Sequence, residues 1–175
     1  MAGAKRGHYL RVAAASQIRP TSEKVREAVF DVLGPVEGLA VLDLFAGTGA
    51  LGLEALSRGA GSCVFVERDI TVAATLRTNI EMLRYQEVCE VVVRDFQEAL
   101  VRLVQRRVAF DLLFVDPPYR MLPEVEITLG PLLPELLAAD GVVVLEGDRS
   151  MRVTFGRLPV FERVYGSTRV TMIRN

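Results

Sequence analysis

Two short stretches of this 175-residue chain carry residue types that could do chemistry at chosen atoms. In "DLFAGTGALG" (43–52), Gly47, Gly49 and Gly52 satisfy the spacing G-x-G-x-x-G, and Glu67 closes the next apolar run. Glycines so spaced let a backbone turn tightly between a strand and a helix and approach a ligand. A carboxylate ending the following strand can then accept both hydroxyls of a ribose. This outlines a site for an adenosine cofactor, and NAD and S-adenosylmethionine (SAM) share that ribose. The second stretch, "LLFVDPPYR" (112–120), ends an apolar run on Asp116, Pro117, Pro118 and Tyr119. Two prolines can simply stop a strand. Downstream of a cofactor loop, the same four residues are candidates for holding a substrate.

Both stretches need a scaffold. Five apolar, β-branched runs recur through the middle of the chain: "LAVLDLF" (39–45), "SCVFVE" (62–67), "EVVVRD" (90–95), "FDLLFVD" (110–116) and "GVVVLE" (141–146). Segments of helical length separate them. In 69–85, Val72, Leu76, Ile80 and Leu83 fall on one face, with Asp69 placed to cap the start. In 22–33, Val25, Val29 and Val32 repeat the pattern. Continuous apolar strands alternating with helices predict a doubly wound α/β fold, because each strand must bury both of its faces. In such a sheet strand four lies beside strand one, where strand order reverses. Ligands sit there, outside the carboxyl ends of the strands. Asp116 to Tyr119 should therefore face the cofactor loop. "PVFERVYGSTRVTMI" (159–173) reads as a hairpin across Tyr165, Gly166 and Ser167 that finishes the sheet antiparallel. "HYLRVAA" (8–14) is a candidate extra strand.

Half the residues are hydrophobic and a quarter charged, as in a globular domain, and no apolar run approaches the length of a membrane span. The N-terminus lacks the apolar core of a secretory signal, so a cytoplasmic location is expected. Cys63 and Cys89 lie in or beside β-branched runs and read as reduced thiols, and with His8 the sole histidine no metal site is expected. The net charge of −1 hides a polarity. Residues 1–20 carry Lys5, Arg6, Arg11 and Arg19 with no acid. Residues 149–175 carry Arg149, Arg152, Arg157, Arg163, Arg169 and Arg174 against Glu162 alone. Two basic ends around an acidic middle suit contact with a polyanion at both termini.

Asp43 followed by Phe45-Ala46-Gly47-Thr48-Gly49 resembles the first motif of the class I SAM-dependent methyltransferases, whose loop cradles the methionine end of SAM. Asp95 in "VRDF" stands where that family places the group that bonds the adenine amine, and it could equally cap a helix. Phe96 beside it could cover the adenine face. Asp116 to Tyr119 resembles the [D/N]-P-P-[Y/F] motif of methyltransferases that act on planar exocyclic amines. The chemistry fits the residue types. A conjugated amine is a weak nucleophile until its two hydrogens are held, and the Asp116 carboxylate and the Pro117 carbonyl can each accept one. The prolines pre-set the loop, and Tyr119 offers a ring for the base.

Taken together, "RPTSEKVREAVF" (19–30), "DLFAGTGALGLEALSRGA" (43–60) and the Asp-Pro-Pro-Tyr loop are similar in order and spacing to the RsmD-like group, the bacterial small-subunit rRNA guanine-N2 methyltransferases. The resemblance implies a class I fold with a mostly parallel seven-stranded sheet. It implies SAM as donor, S-adenosylhomocysteine as product, and 16S rRNA within the small ribosomal subunit or its assembly intermediate as substrate. It also implies that Thr21, Arg26, Glu67, Arg68 and the loop residues bind SAM, although Arg26 could instead pair with Glu23 or Glu27. Residues 1–20, with Lys5, Arg6, Arg11 and Arg19, become an RNA-positioning extension, and 21–175 a methyltransferase domain. A monomer with neither membrane nor metal partner is expected. The start "MAGAKRGHYLRV" departs from the family's usual apolar opening, though it keeps Gly3, Lys5, Arg6 and Gly7. Three alternatives remain: N6 of adenine in DNA or another RNA, an NAD-dependent oxidoreductase, and a catalytically idle RNA-binding factor.

Overall fold

The computed structural model describes residues 1–11 and 23–175. A 3-10 turn at Gly3–Lys5 precedes α1 (Glu23–Leu33), β1 (Ala40–Asp43), α2 (Ala50–Ser57), β2 (Ser62–Glu67), α3 (Ile70–Leu83), β3 (Cys89–Val93), α4 (Phe96–Gln105) and β4 (Phe110–Val115). Next come α5 (Leu122–Leu129), α6 (Leu133–Leu136), β5 (Leu137–Asp148), β6 (Pro159–Tyr165) and β7 (Thr168–Arg174). The strands form one sheet in the order β3-β2-β1-β4-β5-β7-β6. β1 to β5 are parallel, and β7 runs antiparallel between β5 and β6. This is the doubly wound sheet with an antiparallel C-terminal hairpin that the apolar runs imply. β1 pairs on one side with β2 and on the other with β4, so the order reverses between β1 and β4.

Strand alternation divides the core into two layers. Val41, Phe65, Leu112, Phe114 and Val144 face α1, α2 and α3, whereas Leu42, Val66, Leu113, Val115 and Leu145 face α4 and α5. Each fully buried Leu, Val or Phe contributes about 1.5–3 kcal/mol. The caps follow the sequence: Asp69 accepts from the N–H groups of Thr71 and Val72, and Asp95 from that of Gln97. Cys63 and Cys89 are register partners on β2 and β3, and both are free thiols. Burial pushes the Cys89 thiol up to about 12 and Cys63 upward as well.

Three expectations are corrected. Val32 is 43% exposed, because the buried stripe of α1 runs through Val25, Val29 and Phe30, whose ring packs on Phe114 at 5.8 Å. β5 begins at Leu137 rather than near Gly141, with an irregularity where its pairing jumps from Phe110/Leu137 to Leu112/Val142. Residues 8–11 form no strand, and the rest of the candidate strand lies outside the described residues. None of the described helices is long and apolar enough to cross a membrane.

Candidate active site

The glycine loop joins β1 to α2. Leu44 N–H donates to Phe114 of β4 and Ala46 N–H to Val66 of β2, so both neighbouring strands brace its start. Gly49 has φ +90°, the left-handed region that favours glycine, and a Cβ there would meet Leu76 Cδ1 at 2.5 Å and push that side chain aside. A Cβ on Gly52 would meet Phe65 at 2.4 Å, which lets α2 press against β2. Gly49 begins α2 without a side-chain cap. Asp43 serves in its stead from inside the sheet, its Oδ2 accepting the Gly52 N–H at 3.0 Å. Asp43 is 2% exposed, and burial pushes its carboxyl up to about 7. The Gly52 N–H opposes that shift, and the charges of Asp116 and Glu67 add to it.

Glu67, at the end of β2, accepts the Gly47 N–H on Oε2 at 2.9 Å and the Asp69 N–H on Oε1 at 2.8 Å. It therefore ties the glycine loop to the start of α3. Each carboxylate oxygen retains capacity for a further donor. Arg68 is exposed beside it, Ala46 is buried, and Thr48 is half-buried. Asp95 caps α4. Phe96 is 3% exposed and packs on the half-buried Phe45 with ring centroids 5.2 Å apart.

Across the switch point, β4 ends at Val115 and Asp116 follows, half-buried. Pro117 is buried and Pro118 exposed. The Pro118 carbonyl accepts the Met121 N–H at 2.8 Å and closes a 3-10 turn at Tyr119–Met121. Tyr119 is half-buried, with its hydroxyl 3.2 Å from Thr168 Oγ1 at the start of β7. Because β7 is antiparallel to β5, Thr168 lies opposite Asp148 at the same sheet edge. The hairpin tip thus stands beside the Asp-Pro-Pro-Tyr loop.

Thr21 and Arg19 lie outside the described residues. Arg26 has its Nε 3.6 Å from Glu54 and Nη2 3.8 Å from Glu23. Glu54 is 2% exposed and also accepts from Arg58 Nε at 2.8 Å. The described part of the N-terminal segment is packed down. Ala2 N–H donates to Glu54 at 3.1 Å, Lys5 N–H to Ser57 Oγ at 2.8 Å, and Arg11 N–H to Asn79 Oδ1 at 2.8 Å. The Lys5 ammonium lies over the Tyr85 ring, while Arg6 and Arg11 are exposed.

Several residues of this region were not selected from the sequence. Thr168 carries no motif. Arg120, Arg149 and Arg163 are exposed on the loop after β4, the loop after β5 and the hairpin; the charge polarity is the only sequence signal of Arg149 and Arg163, and Arg120, within the acidic middle, has only its place after Tyr119. Asn79 had a signal: an amide between Leu76 and Ile80 on the apolar stripe of α3. Among the described residues no His, Cys, Asp or Glu cluster could hold a metal.

Comparison with known proteins bears on the same chain. A family model described as "Conserved hypothetical protein 95" matches residues 1–174. YlbH of Bacillus subtilis, provisionally named an rRNA methyltransferase, is 37% identical over 183 residues, covering 99% of this chain and 97% of that protein. Ribosomal RNA small subunit methyltransferase D of Haemophilus influenzae is 37% identical over 131 residues, covering 74% of this chain and 68% of that protein. A solved Escherichia coli structure, provisionally named as the methyltransferase yhhF, superposes with a TM-score of 0.85 at 31% identity, over 100% of this chain and 96% of that one.

Proposed function

The chain belongs to the family described as conserved hypothetical protein 95, the RsmD-like methyltransferases, and from that premise we propose that it transfers a methyl group from SAM to the exocyclic N2 amine of a guanine in 16S rRNA of the small ribosomal subunit. The observation that carries the reading is the junction of two motifs at the β1/β4 switch point. Asp43 pairs with Phe114 across the β1/β4 seam, two residues before Asp116, and Leu44 N–H donates to the Phe114 carbonyl, so the glycine loop and the Asp-Pro-Pro-Tyr loop leave the sheet side by side. A loop for an adenosine donor and a clamp for a planar amine therefore share one sheet edge.

The residues present suit SAM. Glu67 ends β2 with capacity left for ribose hydroxyls, the half-buried Phe45 ring lies beside the α4 start at Asp95, and a Cβ on Gly47 would meet nothing within 4 Å, which leaves room on that side of the loop. Arg68, Thr21 and Arg26 are proposed as further SAM contacts. Bound SAM supplies an electrophilic methyl whose loss leaves a neutral thioether. The Asp116 carboxylate and the Pro117 carbonyl each hold one N–H of the amine and turn its lone pair toward that methyl. Pro118 keeps its own carbonyl in the 3-10 turn, which holds the loop shape. Asp116 would take the proton that the nitrogen loses as it gains the methyl. Tyr119 stacks on the base.

A base reaches such a pocket by leaving its stack. The described Lys5, Arg6 and Arg11, the exposed Arg120, Arg149 and Arg163, and Arg19 of the same basic N-terminal segment would meet the backbone phosphates, which position the RNA while the pocket selects the base. In this reading residues 1–20 are an RNA-positioning segment of a cytoplasmic monomer that acts on the small subunit or its assembly intermediate. Label transfer from methyl-tritiated SAM is the test. Incorporation into undermethylated small subunits is expected, and incorporation into DNA oligonucleotides instead would overturn the substrate assignment.

A further inference from the structure

Asn79 is wholly buried in α3, yet among the described residues its side chain bonds to backbone groups of other segments. Its Oδ1 accepts the Arg11 N–H at 2.8 Å, and its Nδ2 donates to the Arg11 carbonyl at 3.1 Å and to the Thr48 carbonyl at 3.0 Å. The first two bonds grip one residue of the N-terminal segment as a neighbouring strand would. The third reaches the middle of the glycine loop. The Thr48–Gly49 peptide is thereby held at both ends, because its N–H, on Gly49, donates to the Ala46 carbonyl at 2.7 Å. One turn earlier in α3, Leu76 closes on the bare Cα side of Gly49. The helix sets the position of the loop through Leu76 and its orientation through Asn79.

We infer that Asn79 is a positioning residue that makes the docked N-terminal segment part of the SAM site, so that undocking the segment weakens cofactor binding. This rests on the reading of the glycine loop as the SAM loop. A buried amide is satisfied only if each partner stays in place. When Arg11 leaves, Asn79 loses two of its three bonds and is free to turn away from Thr48. Arg11 also carries an exposed guanidinium. RNA that holds this segment down would favour the same loop conformation that SAM needs, and the linkage is reciprocal.

The segment can be undocked from its far end. A Cβ on Gly3 would lie 1.9 Å from the Ser57 carbonyl oxygen, at a φ of +63°. Gly3→Ala must therefore lift the segment without touching Asn79 or the loop. Calorimetry with S-adenosylhomocysteine on the full-length protein compares wild type, Gly3→Ala, Asn79→Ala and the double variant, with Leu103→Ala in the opposite core layer as a control for lost stability. Asn79→Ala is expected to weaken binding about tenfold, the scale of one lost hydrogen bond. Gly3→Ala should weaken it measurably, and the double variant no more than Asn79→Ala alone. Leu103→Ala should lower Tm and leave Kd unchanged. An unchanged Kd in Gly3→Ala, or effects that multiply in the double variant, overturns the inference. Gly3→Ala alone decides if Asn79→Ala does not fold. Wild-type protein that binds no S-adenosylhomocysteine would instead refute the cofactor reading itself.

Discussion

The Tyr119 hydroxyl lies 3.2 Å from Thr168 Oγ1, and this bond joins the Asp-Pro-Pro-Tyr loop to the tip of the C-terminal hairpin. The ring proposed to stack on the base is therefore aimed by a strand distant in sequence. Tyr119→Ala removes the stacking surface and is expected to cost about 1–3 kcal/mol, read as a rise of roughly five- to 150-fold in KM for rRNA. Tyr119→Phe and Thr168→Val keep the ring and lose only the bond, so each should cost less than about tenfold. Equal effects of Tyr119→Ala and Tyr119→Phe would assign the hydroxyl, rather than the ring, to the substrate.

Asp116 has a different signature. Asp116→Ala is expected to lower kcat by about 10²–10⁴-fold while the affinity for S-adenosylhomocysteine stays within a small factor of wild type. Single-turnover methylation alongside calorimetry separates the two. Methylation at the wild-type rate would remove Asp116 from the chemistry.

Asp43 predicts a pH dependence of stability. Its carboxyl is raised from 3.8 to about 7 in the folded protein, chiefly by burial. The folded state then holds a proton that the unfolded chain has already released. The stability linked to that proton is complete below the unfolded value of 3.8 and is lost as pH rises through about 7. Asp43→Asn keeps an acceptor for the Gly52 N–H and cannot ionise. Thermal unfolding should show the variant gaining on wild type between pH 4 and pH 8, whereas parallel curves would contradict the raised carboxyl.

The exposed arginines at the sheet edge predict an RNA-specific loss. Arg120→Glu and Arg149→Glu should each weaken rRNA binding and reduce the slope of log K against log salt by about one, with S-adenosylhomocysteine binding unchanged. Filter binding across a salt series measures this. An unaltered slope would put the phosphate contacts elsewhere.

The strand segments, the glycine loop and the Asp-Pro-Pro-Tyr loop were legible in the sequence because each is a local pattern: an apolar run, a glycine spacing, a strand stopped by prolines. The helix caps at Asp69 and Asp95 were legible for the same reason. The partners of Asn79, Glu54 and Thr168 were not. Asn79 meets Arg11 across 68 residues and Thr48 across 31, and Thr168 meets Tyr119 across 49, so no local spacing records these pairs. In α1 the local pattern misled. Val32 completed an aliphatic stripe, but the large ring of Phe30 packs on Phe114 and turns Val32 outward.

The central claim is tested most directly by locating the new methyl group. Small subunits from cells lacking the endogenous activity are incubated with the protein and SAM, and the 16S rRNA is digested and mapped by mass spectrometry. A single N2-methylguanosine, absent when Asp116→Ala replaces the wild-type protein, is the predicted result. A methyl on adenine N6, or no methyl on any base, would contradict the account.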